Sequence, residues 1–277
     1  MTAPEAIAFV LLDVPVDVRS DDPAVRERLG LWYAAAVASG ASTFSAAPIV
    51  ATIDRGATGY RLEVEAEVET VDLDLTAAVR RFNHLLIHAV MRRRADLFFV
   101  HAAVLASGPF GIVLVGLSQS GKSTLALAMI EQGASYLSDE LLAYDPRTKT
   151  ARAVPRALKI RDVCLPYFAS LAESFVGAGE GRLLPFTALR PEVVRLEARP
   201  RVIIAPVYAA DGDDRLVPTT PGAMLLSLTA SALNFGTHRE VSIDHLAALV
   251  ALARSYTLRW RDPHGAARTI LEAAASP

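Results

Sequence analysis

One cysteine in 277 residues, Cys164, excludes an intramolecular disulfide and any multi-cysteine zinc site. Excess positive charge is missing too. The 28 Lys+Arg stand against 30 Asp+Glu, a formal net charge of −2, so no global basic field points to nucleic acid. Mean hydropathy is +0.31, yet no apolar run approaches the roughly 18 residues that a membrane-spanning helix needs. The most apolar stretch, Leu97 to Val115, is broken by His101 and by Ser107-Gly108-Pro109, and reads as two buried strands. The run Ala6 to Leu12 follows Glu5 and no basic residue, the reverse of a secretory signal. Internal repeats, low-complexity tracts and long Gly/Ser linkers are absent as well. The expectation is a cytoplasmic protein with neither nucleic acid nor membrane among its partners.

What is present is material for a core. Hydrophobic residues make up 52% and charged residues 21%, far from a disordered composition. Ile7 to Val18 reads as a first strand. Asp21-Asp22-Pro23 then caps a helix through Trp32 that stops near Gly40. Tyr60 to Val71 alternates, with Leu62, Val64, Ala66 and Val68 on one face and Glu63, Glu65, Glu67 and Glu69 on the other. That predicts a strand with one wet face, its glutamates either plainly solvated or a docking row for a basic partner. A helix over 75–94 follows. Its triplet Arg92-Arg93-Arg94 suits a helix C-terminus without any ligand. His84 and His88 have the i,i+4 spacing of a zinc pair, but Leu85 stands where the motif needs glutamate. Surface or half-buried histidines are the plainer reading.

From Leu97 the texture is strand and helix in alternation: strands at 97–106 and 112–115, a helix at 122–132 ending at Gly133, and strands at 134–137 and 141–144. Val202–Tyr208 and Arg215–Pro218 are expected to pair with each other. Helices follow at 224–233, 243–254 and 265–274, with a strand at 256–261. Residues 1–75 thus form an accessory α+β region, and 76–277 an α/β core.

Gly116-Leu117-Ser118-Gln119-Ser120-Gly121-Lys122-Ser123 is a complete G-x-x-x-x-G-K-[ST] match. Average residue frequencies give a chance match in this length a probability on the order of one percent. An apolar strand precedes the motif, and Thr124 begins an apolar helix after it. In such a loop glycines let the backbone wrap a phosphate, and successive N–H groups with the helix N-terminus face the anion. Lys122 reaches the β- and γ-phosphates, and the Ser123 hydroxyl joins the Mg²⁺ shell. Asp139-Glu140 ends the next strand, at the edge where such folds place their ligands. A carboxylate there holds Mg²⁺ or takes a hydroxyl proton. Arg156, Lys159 and Arg161 are candidate phosphate clamps or ordinary surface charges, and Arg201 and Arg239 are weaker candidates.

The run His101-Ala-Ala, the P-loop and Gly133-Ala-Ser-Tyr-Leu-Ser-Asp139-Glu140 resemble the bacterial HPr kinase/phosphorylase family, above all its shorter relatives. The resemblance covers about Leu97 to Asp145 well and Val154–Arg156 with Arg201–Tyr208 more loosely. It implies a P-loop kinase core of the HPr kinase/phosphoenolpyruvate carboxykinase-like type. It also implies ATP and Mg²⁺ as cofactors and transfer of the γ-phosphoryl to a Ser/Thr hydroxyl of a protein or precursor peptide. Asp139 would be the base, with His101 near it and Glu140 as the second, metal-side acid where the family usually has aspartate. The family's phosphorolysis segment has no match after Arg161. Homo-oligomerisation stays open without a stoichiometry. The rival readings are a small-molecule kinase using the same site and a nucleotide-gated interaction module.

Overall fold

The run Ile7 to Val18, expected as one strand, folds back on itself in the computed structural model, which describes residues 6–38, 47–177, 182–185, 189 and 193–276. β1 (Ala6–Leu11) and β2 (Val14–Arg19) pair antiparallel. Leu12 and Asp13 between them have φ of 51° and 64°, the two left-handed residues of a turn whose twist matches a two-residue hairpin. The same device divides 60–71. The chain turns at Glu65 (φ 54°) into β4 (Tyr60–Val64) and β5 (Glu67–Val71). Leu62 and Val64 are buried as expected, but Val68 is 50% exposed because the turn ends the alternation.

Asp22 caps α1 (Pro23–Ala38) by accepting the Ala24 N–H at 2.9 Å; the expected stop near Gly40 lies outside the described residues. β3 (Ile49–Arg55) returns parallel to β2, completing a five-stranded sheet in the order β1-β2-β3-β4-β5. α2 (Leu75–Arg93), capped by Asp74, packs Phe82, Leu86 and other apolar residues on β3 and β4. Contacts divide the chain into units Met1–Ala95 and Asp96–Pro277, so α2 belongs to the first unit and not to the second as expected. Its arginines also answer the acidic row: Arg81 grips Glu69 at 2.7 and 2.5 Å, Arg92 meets Glu67 at 2.7 Å, and Arg93 meets Glu65 at 2.6 Å. A basic partner is not needed to account for those glutamates. The His84 and His88 rings lie 4.3 Å apart, and no cluster of three potential metal ligands exists among the described residues.

The second unit is a mixed α/β body. Its large sheet runs β6 (Phe98–Val100), β10 (Leu142–Asp145), β11 (Thr150–Arg152), β14 (Glu197–Tyr208), β8 (Phe110–Val115), β7 (Ala102–Ser107), β9 (Ser135–Ser138). β16 (Arg254–Trp260) lies parallel to the latter part of β14, and β15 (Arg215–Pro218) pairs antiparallel with β16. The expected β14–β15 hairpin therefore does not form. A distant strand takes the place between them, which local alternation cannot announce. Apart from that sheet, β12 (Leu158–Ile160) and β13 (Arg182–Leu184) pair with each other. α3 (Lys122–Glu131) and α7 (Pro263–Ala275) pack together, as do α4 (Pro221–Ala230) and α6 (Val241–Leu252), with the short α5 (Phe235–His238) against α6. No helix among the described residues is long and apolar enough to cross a membrane.

The expected strand 97–106 changes partners at His101: β6 pairs with β10, and β7 with β8 and β9. The break is stitched by the segment after α4. His101 N–H donates to Ser231 O at 2.7 Å and Leu233 N–H to Phe99 O at 2.9 Å. Buried Asn234 accepts Phe99 N–H at 2.8 Å and donates to Leu97 O at 2.9 Å. Asn234→Ala leaves the Phe99 N–H buried and unpaired, while Leu97 O keeps His238 Nε2 at 3.0 Å. At roughly 1–3 kcal/mol for such a group, the substitution is expected to lower stability by about 1–3 kcal/mol. Urea unfolding of the full chain checks this; a midpoint matching wild type contradicts it.

Candidate functional site

Between the end of β8 and the start of α3 the backbone must reverse tightly, and Gly116 (φ 155°) and Gly121 (φ 93°) serve that turn. At Gly121 nothing larger fits, since a Cβ would stand 2.0 Å from Cζ2 of Trp260. Trp260 closes β16, and its Nε1–H donates to Ser120 O at 3.1 Å. An indole from a distant strand therefore holds the loop in shape. α3 begins with no side-chain cap, leaving its first N–H groups and the positive end of its dipole to the loop. Lys122 donates Nζ hydrogens to Gly116 O at 2.8 Å and Leu117 O at 3.0 Å. Burial lowers its pKa, while Asp139 and Glu140 act to raise it.

β9 is not the immediate neighbour of β8, because β7 lies between them. β7 is antiparallel to both, so β9 still runs with β8 and delivers Asp139 and Glu140 to the edge that carries the loop. Asp139 is 6% exposed. Its carboxyl meets the Ser123 hydroxyl and the Lys159 backbone N–H, while Oδ1 is buried with no hydrogen-bond partner among the described residues. Burial first, then the negative charge of Glu140, pushes its pKa up to about 7. Glu140, next along, turns its side chain outward to solvent, and its Oε2 accepts from the buried Arg156 guanidinium at 2.8 Å. That cation holds Glu140 below the usual carboxylate range. His101 is half-buried beside Glu140 and meets its backbone; Asp139 is not among its charged neighbours. Burial, then Lys122, lowers the His101 pKa.

His101, Lys122, Ser123, Asp139 and Glu140 thus line one cleft of about 380 Å³ together with Ser118, Gln119, Gly121 and Thr124. Lys159 and Arg161 line it as well. Gly116 and Ser120 frame the loop from outside the lining, and Leu117 is 78% exposed at its tip. Arg156 acts on the cleft through Glu140. Neither Arg201, which lies 4.0 Å over the Phe110 ring, nor Arg239 lines it. Sequence reasoning missed three contributors. They are Trp260, the Lys159 backbone, and Cys164, whose Sγ accepts the Thr124 hydroxyl at 3.3 Å. The position of Trp260 at the C-terminal end of an expected strand was the available signal for it.

No protein-family model matches this sequence, and no curated protein matches it. Among solved structures the chain is similar to the HPr(Ser) kinase/phosphatase from Coxiella burnetii, at 12% identity over 63% of this chain and 93% of that one, with a TM-score of 0.35. This is a distant likeness of fold, and no residue role is taken from it.

Asp139 also makes a pH signature in stability. Its folded pKa, about 7, lies above the ordinary value of 3.8. Between those values the folded chain binds more protons than the unfolded one, so this group's contribution falls as pH rises and is fully lost above about 7. Asp139→Asn removes the penalty. Its advantage over wild type in denaturant unfolding is expected to grow by on the order of 2 kcal/mol between about pH 5 and pH 8. A pH-independent difference would mean that the Asp139 pKa is not raised.

Proposed function

We propose that this protein is a phosphotransferase that receives ATP on the Gly116–Ser123 loop and passes its γ-phosphoryl group to a Ser/Thr hydroxyl of a protein or peptide. The observation that carries the reading is one cleft holding a complete phosphate-loop motif, an uncapped helix start and a buried carboxyl poised near pH 7 with an unpartnered oxygen. A base is most effective when its pKa lies near the working pH.

In this reading the loop N–H groups and Lys122 hold the β- and γ-phosphates. The acceptor oxygen attacks the γ-phosphorus, its proton passes to Asp139, and the bond to the β–γ bridging oxygen breaks to release ADP. The positions of the acids suit a division of labour. Asp139 faces the Ser123 hydroxyl, whereas Glu140 is engaged by Arg156. For a magnesium ion, Ser123 with one adjacent acid is a sufficient protein contribution, since that ion keeps several waters and takes its remaining ligands from phosphate. Mg²⁺, when bound, supplies neutralisation of phosphate charge. Arg156 fixes Glu140, and Glu140 in turn borders His101. Arg161 and Lys159 supply positive charge along the lining, where the acceptor or the transferred group would lie.

Lys122→Ala is expected to reduce transfer from labelled ATP to serine-containing peptides by about 10²–10³-fold, the scale of a lost preorganised electrostatic contact. Retention of more than about a tenth of wild-type turnover contradicts the role, given that scale. Titrating Mg²⁺-ATP against two further variants assigns the acids. Ser123→Ala should weaken binding, while Asp139→Asn should keep affinity near wild type and lose turnover. Equal loss of affinity in both makes Asp139 a metal ligand and passes the base to Glu140 or His101.

A further inference from the structure

The acid pair lies on one side of the glycine loop, and a different surface lies past Thr124. The 3₁₀ segment Asp162–Ser174 is anchored there by the Thr124–Cys164 hydrogen bond. It presents Val163, 70% exposed, and Tyr167, 39% exposed. The Tyr167 carbonyl meets His264 Nε2 at 2.9 Å, tying the segment to the first turn of α7. The Tyr167 hydroxyl meets that of Tyr208, the last residue of β14 and 50% exposed. The Tyr208 ring in turn stands edge-on to Trp260 with centroids 5.1 Å apart. Trp260 is the residue that touches Gly121 and Ser120. Two exposed phenol rings are therefore joined, through one indole, to the backbone of the loop.

Val163, Tyr167 and Tyr208 leave much of their surface in water beside a polar cleft, a grouping that marks a binding surface. A triphosphate whose γ end faces Asp139 and Glu140 must carry its other end away from them, past the first turn of α3, where Thr124 and Cys164 stand. Flat aromatic rings with hydroxyl tips hold a planar, polar-edged group by stacking.

We propose that Tyr167 and Tyr208, with Val163 beside them, form the subsite for a purine base, so that the donor is a purine nucleoside triphosphate and not a bare polyphosphate. This inference rests on the phosphate-loop reading above and adds the donor's recognition to it. Purines are favoured because they offer a larger π-face for stacking than pyrimidines do.

The test measures Mg²⁺-dependent binding of ATP, CTP and inorganic tripolyphosphate to the full chain by calorimetry. Wild type, Lys122→Ala, the Tyr167→Ala/Tyr208→Ala double variant and the corresponding double Phe variant are compared. The double alanine variant is expected to weaken ATP about ten- to a hundredfold, the range of base–aromatic stacking, and to leave tripolyphosphate within about twofold on the same scale. The double Phe variant, which keeps the rings, should retain most of the ATP affinity. Wild type should prefer ATP to CTP. Equal binding of ATP and tripolyphosphate to wild type, or ATP affinity unchanged by the alanine pair, overturns the subsite while the loop reading stands. Parallel loss of both ligands in the alanine pair also overturns it, because the tyrosines would then be holding the loop and not the base. If wild type binds none of the three, or Lys122→Ala binds all as wild type does, the loop reading falls and this inference falls with it.

Discussion

Strand β14 is the element on which the second unit depends. It pairs with β11 at its beginning, with β8 through its middle and with β16 through its end. Twelve residues thereby connect a part of the sheet that runs to β6 with another that carries the loop. Ladder pairing fixes relative position along a strand to a residue, since a slip of one reverses every side chain. The register shift between Pro200 and Val202 falls where proline has no N–H to give. Tyr208 at the end of β14 and Trp260 at the end of β16 are paired in register, so the ring that supports Gly121 is located by the backbone ladder that ends at it.

The cleft shows the opposite economy. The sheet is largely apolar, yet its edge gathers a buried carboxyl, a buried ammonium, a buried guanidinium and a half-buried imidazole. A charge removed from water is penalised unless it is paired. Among the described residues of the cleft, Arg156 and Glu140 alone make a close pair of opposite charges, at 2.8 Å. Asp139 answers its burial by shifting its proton equilibrium, and Lys122 leans on neutral carbonyls. Orphaned oxygens on Asp139 and Ser120 complete the picture. Groups left in this condition favour any ligand that brings complementary charge, a strain characteristic of sites that act.

How much of this was legible depends on the range of each interaction. The loop, α3, the acids at the end of β9 and the late helices are written in short local patterns, and the structure brings both acids and the loop residues other than Gly116, Leu117 and Ser120 into one cleft. The hairpins were not legible, because Leu12-Asp13 and Glu65 adopt left-handed conformations without the Asn-Gly or Asp-Gly signal that usually reports them. Nor was the neighbour of β15, which is chosen by a strand near the end of the chain. α2 read correctly as a helix but was assigned to the wrong side of the boundary: its apolar stripe says that it packs, not on what. Asn234 reaches Phe99 and Trp260 reaches Ser120 across more than a hundred residues, and no window of sequence contains both partners.

The lone Cys164 has a consequence of a different kind. Its sulfur is shut in, 9% exposed and receiving the Thr124 hydroxyl, so a thiol reagent reaches it only while the 3₁₀ segment is lifted from α3. With no second thiol in the chain, every labelling event has one origin. The rate of modification is then a clock for local opening, set by the fraction of time that segment spends away. The molecule carries an intrinsic reporter of its own breathing beside the loop, with no probe added.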